Sequence, residues 1–266
     1  MDISTNEIIR QRKSVRTFTG EKLNEEDVKS INEYISAVDD PFGVPVTFRL
    51  LSAEEYGLSS PVIVGAENYI AAKVKKVPDF ELAYGYCFEK VCLFAASKGL
   101  GTVILAATLS RSAFETAMKL SEDEVMPAAS PIGYPARKMS IRETMMRNGL
   151  KADERIPFEK LFFNGSFENG LDKAKAGKFA EALEAVRWAP SATNKQPWRA
   201  VADGDRIHFY ELKILKESAL GDIQKVDIGI ALANFELMMQ NSGHFVFNEP
   251  PITKPDNTHY ITTFVL

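Results

Sequence analysis

Two short stretches of this chain concentrate side chains that can bind or orient a ligand. The first, Arg12-Lys13-Ser14-Val15-Arg16-Thr17-Phe18, alternates cations and a hydroxyl with apolar residues. If extended, it presents Arg12, Ser14 and Arg16 on one side with Val15 between them, because successive strand side chains point to opposite faces. Guanidinium forks take phosphate oxygens in pairs and a serine adds a neutral donor, so such a row suits an anionic ligand. A solvated basic patch would have the same composition. The second stretch, Ala189-Pro190-Ser191-Ala192-Thr193-Asn194-Lys195-Gln196-Pro197-Trp198, sets four small polar side chains between two prolines and a tryptophan. Prolines hold the chain out of helix, and Ser, Thr, Asn and Gln can bond either the local backbone or a ligand. A capped loop around a core Trp satisfies this spacing equally well.

The elements around these stretches follow from periodicity. A helix capped by Asn6 is expected to run through Arg12 into the basic row, and Asn24 with Asp27 opens another before Val28, Ile31 and Ile35. Val46 to Leu51, Ser60 to Val64 and Tyr69 to Val74 read as strands. Phe80 to Lys98 is apolar nearly all round, the pattern of a central buried helix. Gly99-Leu100-Gly101 stops it, and Thr102 to Ala107 reads as a buried strand. It ends in small residues, so the backbone at Leu105, Ala106 and Ala107 can approach a ligand closely. Ser112 to Leu120 is a short helix, and Val125 to Pro135 a strand entering a turn. Arg137, Lys138, Ser140 and Arg142 then form a second basic cluster. Residues 143 to 170 carry few periodic signals, which places a boundary there and divides the chain into residues 1–150 and 151–266. Short helices at Leu171 to Ala176 and Phe179 to Trp188, a hairpin turning at Asp203-Gly204-Asp205, and an apolar helix over Asp227 to Asn241 follow.

The two parts share a pattern. Aligning Gly85 with Gly229 gives an offset of 144 (229 − 85), which also places Leu93 on Leu237 and Gly99 on Gly243. The element order helix, helix, strand, central helix, strand recurs, which suggests a duplicated unit forming an internal pseudo-dimer. The copies differ where chemistry is concerned. The basic row has no counterpart near Asn169 to Lys173, and the polar loop is replaced by Pro41 to Pro45 in the first part.

Composition excludes several classes. With 32 Lys and Arg against 36 Asp and Glu the net charge is −4, which argues against nucleic-acid and anionic-membrane partners. No apolar run approaches the roughly 18 residues of a membrane span, and the acidic amino terminus is unlike a secretory leader, so a cytoplasmic protein is expected. Cys87 and Cys92 lie in an apolar helical pattern at neither redox nor zinc spacing, and His208, His244 and His259 are scattered; neither a metal site nor a Ser-His-Asp triad is supported.

The basic entry, the Ala-Pro-Ser-Ala-Thr-Asn-Lys-Gln-Pro-Trp loop, Gly99-Leu100-Gly101 after a central helix and the Ile132-Gly133-Tyr134-Pro135 turn together resemble the FMN-dependent nitroreductase family. The resemblance implies an α+β, nitroreductase-like fold of two helix-covered, antiparallel-type sheets, with FMN between two units. It assigns the phosphate and ribityl chain to Arg12, Lys13, Ser14 and Arg16, with Arg142 and Lys138 closing from the loop after Tyr134. It assigns flavin contacts to Pro190, Ser191, Ala192, Asn194 and Gln196, and backbone donors to Leu105, Ala106 and Ala107. Ordinary members carry the basic entry and the polar loop close together. Here they lie in opposite halves, as in the branch with two divergent halves in one chain, which implies one FMN per chain, an empty second site and a monomer. The implied activity is ping-pong reduction of nitroaromatics, quinones or similar small electron acceptors by NAD(P)H through FMN, with no catalytic side chain required. Flavin storage, sensing or delivery without turnover, or a flavin-free surface, are the alternatives.

Overall fold

The computed structural model describes residues 4–240 and 242–266. Helix α1 (Thr5–Gln11) is capped by Ser4 rather than Asn6. Ser4 Oγ accepts from Glu7 N–H and the Glu7 carboxylate accepts from Ser4 N–H, a reciprocal capping box, while Asn6 Oδ1 accepts from Arg10 Nε. Helix α2 (Glu25–Ala37) starts where Asn24 accepts from Asp27 N–H, as expected. Then come β1 (Val46–Ser52), α3 (Ala53–Tyr56), β2 (Asn68–Lys75), α4 (Phe80–Ser97), β3 (Gly101–Thr102), α5 (Arg111–Met118), β4 (Glu124–Val125) and β5 (Ala129–Gly133). These strands form one antiparallel sheet ordered β1-β2-β5-β3, with β4 also on β2.

Residues 143 to 170, where the sequence carries few periodic signals, are largely covered by α6 (Ile141–Gly149), α7 (Phe158–Leu161), β6 (Phe162–Asn164) and β7 (Ser166–Gly170). Helix α6 escapes a periodicity search because its pattern is inverted: Ile141 and Met145 face solvent while Glu143 is buried. Helix α8 (Ala180–Trp188), β8 (Trp198–Asp203), β9 (Arg206–Leu212), α9 (Ile223–Met239), β10 (His244–Val246) and β11 (Thr258–Val265) complete the chain. The second sheet runs β10-β11-β9-β8-β6-β7; β6 pairs parallel to β8, so it is mixed where antiparallel pairing was expected.

Two strand expectations shorten. Ser60 to Val64 is a loop whose strand-type pairing is confined to a Val64–Thr17 bridge. The strand expected to reach Ala107 ends at Thr102 and rejoins the sheet only at Leu105, opposite Ala129.

Helix α4 lies on the first sheet, α9 on the second, and the two helices pack on each other. Each is apolar all round because each has a sheet on one side and a helix on the other. Gly85 and Gly229 make the crossing. A Cβ at Gly85 would overlap Val226 O and lie 3.1 Å from Ile230 N, and one at Gly229 would overlap Leu82 O and lie 2.9 Å from Tyr86 N. Val226 and Ile230 are the 144-residue counterparts of Leu82 and Tyr86. The contact is therefore self-complementary, the pattern made by a twofold axis.

Candidate functional site

A cavity of about 410 Å³ opens beside this crossing, lined by residues from both ends of the chain. Its first wall is the basic row, held by three isolated bridges: Ser14 with Thr102, Thr17 with Val64, and Phe18 with Pro135. Val15 N–H donates to Thr102 O (2.9 Å), and the Val15 side chain packs where a Cβ on Gly101 would sit, 2.8 Å from its carbons. Gly101 thus admits the row at this depth. With Val15 turned inward, Arg12, Lys13, Ser14 and Arg16 line the cavity.

Helix α6 secures the row from behind. Glu143 accepts from Arg16 N–H (3.1 Å) and from Thr17 Oγ1 (2.7 Å). Arg16 is buried, and its Nε has no protein acceptor. Desolvation lowers its pKa, Glu143 opposes that shift, and the neighbouring Arg147 reinforces it. Arg12 Nε stands 3.3 Å from Glu89 Oε1, a carboxyl on α4 that burial pushes up to about 7 while Arg12 pulls it back.

Four further cavity groups had not been anticipated: Arg147, Arg155, Trp188 and Asp227. Arg147 pairs with Asp153. Arg155 lies over the Trp188 ring (5.1 Å) and donates to the carbonyls of Ala152 and Glu154 (each 2.9 Å). Burial lowers its pKa, and the charges of Arg12 and Arg187 add to the effect. Arg147 and Arg155 line the cavity where Lys138 and Arg142 were expected; neither of the latter borders it. Arg142 turns outward and donates to Pro61 O, because α6 starts at Ile141 and carries that side chain away.

The opposite wall is the polar loop with α9. Pro190, Ser191, Ala192 and Asn194 line the cavity; Gln196 does not. Gln196 is buried behind the loop, accepting from Ile156 N–H (2.9 Å), and Asn194 Nδ2 donates to Lys151 O (2.7 Å) and Glu154 O (3.1 Å). These amides bind the 151–156 segment to the loop, while Ser191 Oγ accepts from Gln196 N–H (2.9 Å). The plainer reading of the loop therefore accounts for much of its polarity. Its backbone is nevertheless strained: Thr193 (φ 50°), Asn194 (φ 55°) and Gln196 (φ 49°) are all left-handed, and such clusters are characteristic of ligand-clamping sites. Asp227 on α9 accepts from Ala192 N–H through both oxygens, each at 3.0 Å. Burial holds its pKa well above the carboxylate range, and Asp222 and Glu211 push the same way.

Between the walls runs Val103 to Thr108. Leu105 N–H is committed to Ala129 O (2.8 Å), so it is not available to a ligand, contrary to expectation. Ala106 and Ala107 N–H have no protein acceptor among the described residues. Glu89 and Asp227 were legible signals, each a carboxylate within a predominantly apolar helix. Arg155 had no such signal, since its position depends on the path of an unpatterned connection.

The segment that replaces the polar loop in the first half is filled differently. Phe42 packs edge-on against Tyr86 (5.9 Å between centroids) and beside Phe245 and Phe247 (6.0 Å each). Among the described residues no cluster of His, Cys, Asp and Glu could hold a metal, and no helix is long and apolar enough to cross a membrane.

The cavity has a cationic end, aliphatic walls from Val103, Ile223, Val226 and Ile230, and two uncommitted backbone donors. A phosphorylated planar cofactor such as FMN fits this donor set. The solved structure of a putative nitroreductase from Thermotoga maritima is similar over 100% of this chain and 95% of its own, at 20% identity and a TM-score of 0.65. A putative NADH dehydrogenase/NAD(P)H nitroreductase from Bacteroides thetaiotaomicron (22% identity, TM-score 0.43) matches 53% of this chain and 91% of its own. An FMN-dependent nitroreductase from Clostridium difficile (13%, TM-score 0.42) matches 53% and 94%. No curated protein matches. The family model described as "Putative TM nitroreductase" spans residues 4–239, and with the two-sheet α+β fold it establishes that the chain belongs to that nitroreductase family.

Proposed function

We propose that this chain is an FMN-dependent oxidoreductase that takes hydride from NADH or NADPH and passes it to nitroaromatics, quinones or comparable electron-poor acceptors. The observation that carries the reading is one cavity joining the cationic row Arg12–Arg16 to the Pro190–Asn194 loop, 174 residues (190 − 16) further along the sequence. Arg12, Lys13, Ser14 and Arg16, with Arg147 and Arg155, would hold the phosphate; Ala106 and Ala107 N–H and the Pro190–Ala192 backbone would face the ring. FMN, when bound, supplies the hydride chemistry. The protein's part is to neutralise the phosphate, orient the ring and exclude water. Asp227 fixes the loop at Ala192 N–H, and the apolar side chains of α9 dry the wall opposite the backbone donors.

The units 1–150 and 151–266 act as two halves of one dimer-like body, with one FMN per chain, a monomer in solution and a cytoplasmic setting. The aromatic packing of Phe42 against Tyr86 supports the absence of a second flavin, since it fills the segment that replaces the polar loop. The test is the visible spectrum of the purified protein with flavin counted per chain, then NADH and NADPH oxidation with a nitroaromatic and a quinone. About one flavin and turnover support the reading. A yellow protein inert to both nicotinamides would instead indicate flavin storage or delivery, and a colourless protein that takes up no FMN would reject the site.

A further inference from the structure

Glu89 is the least accommodated group near the cavity. It lies in the middle of α4 at 0% exposure, and neither carboxylate oxygen has a hydrogen-bond partner. Among the described residues its only cation within 4.0 Å is Arg12, whose side chain is 6% exposed. A buried carboxylate without N–H or O–H partners is costly, and packing alone does not call for one. The other central helix demonstrates this: the 144-residue counterpart of Glu89 is Ala233, fully buried and apolar. The half that carries the basic row has the carboxylate, and the half without the row has a methyl.

Arg12 explains the difference. Its backbone is fixed as the C-cap of α1, with N–H to Ile8 O (2.8 Å). Arg12 lines the cavity, its Nε faces Glu89 at 3.3 Å, and no protein acceptor among the described residues takes a hydrogen bond from its guanidinium. Arg155 shares the same cavity and feels the Arg12 charge. Without a counter-charge behind it, Arg12 would be repelled from its neighbours. A carboxylate at Nε holds the planar group from the rear and leaves both Nη nitrogens for a phosphate. We propose that Glu89 is the positioning residue that sets the Arg12 guanidinium for the cofactor's phosphate, a role that rests on the flavin reading of this cavity.

The phosphate supplies the discriminating measurement, because FMN and riboflavin share the ring and differ in that group. Affinities of the flavin-free full-length protein for both are measured by flavin fluorescence at pH 8, on the alkaline side of the value of about 7 to which burial pushes Glu89. Glu89→Gln is expected to weaken FMN roughly tenfold, the loss of about one charge-assisted contact, and to leave riboflavin within about twofold. Arg12→Gln should show the same selectivity, and the double variant should be no weaker for FMN than Arg12→Gln alone. Glu89→Ala, which copies Ala233, is the second variant should the glutamine fail to fold, and it should discriminate in the same way. Equal losses of FMN and riboflavin would reduce Glu89 to a packing role, and unchanged FMN affinity would remove it from the site. A wild-type protein that binds neither flavin would overturn the flavin reading itself.

Discussion

Replacing Gly85 or Gly229 by alanine tests the frame on which the cavity is built. Each substitution adds a methyl group against the backbone of the opposite helix: 2.8 Å from Val226 C for Gly85, 3.0 Å from Leu82 C for Gly229, with the carbonyl oxygens nearer still. No rotamer change relieves a clash with backbone, so α4 and α9 must separate along a contact buried over most of their length. Overpacking of this kind costs about 3 kcal/mol, offset by about 1 kcal/mol because alanine is the better helix former. A net loss of about 2 kcal/mol should lower the melting temperature by roughly 4–8 °C in a chain of this size. Because the contact is reciprocal, the two variants should lose nearly the same amount. The double variant should lose less than their sum, since the first methyl already opens the space for the second. Urea unfolding followed by circular dichroism, with thermal melts in parallel, gives these values. A single variant more stable than wild type, as helix propensity alone predicts, would refute the crossing.

Three other outcomes follow from the site and its surroundings. Gly101→Ala should push Val15 outward, displace the basic row and weaken FMN binding by at least about tenfold, with a smaller effect on stability. Arg16→Gln should cost at least about tenfold in FMN affinity whereas Arg142→Gln should change it by less than about twofold; the reverse order in a titration would restore Arg142 to the phosphate site that the family resemblance implied. Burial and the neighbouring Asp222 push Glu211 up to about 7, from the 4.5 of an ordinary glutamate. The folded state therefore holds this proton more tightly than the unfolded chain, and its contribution is full below pH 4.5 and lost as pH rises through 7, about 3 kcal/mol in all. Glu211→Gln should flatten that part of the curve in urea unfolding at pH 5 and pH 8, and an unchanged pH dependence would contradict it.

The fold was legible where periodicity and capping act locally. The apolar runs around Gly85 and Gly229 identified both central helices and their 144-residue relation, because a helix buried on all sides must be apolar on all sides. Asn24 marked a helix start for a similarly local reason. Asn6 misled, since Ser4 and Glu7 together satisfy two backbone donors where Asn6 offers one acceptor. Helix α6 was not legible, because its tertiary partner is polar: Glu143 reaches the backbone of Arg16, leaving the apolar Ile141 and Met145 outside.

By itself the sequence determined the family, the two-sheet α+β architecture and the two stretches that face each other across the cavity. Those follow from residue type and order, which set propensity, pattern and the chemistry available. Only the tertiary structure decided which polar groups are free to act. Asn194 and Gln196 carry ligand-binding chemistry yet spend it on the 151–156 backbone, Arg142 points outward, and Arg147 and Arg155 arrive from the inverted helix α6 and the connection that follows it. A hydrogen-bonding group is committed by its nearest partner in space, and neither that partner nor the cost of burying a charge such as Glu89 is written in local sequence.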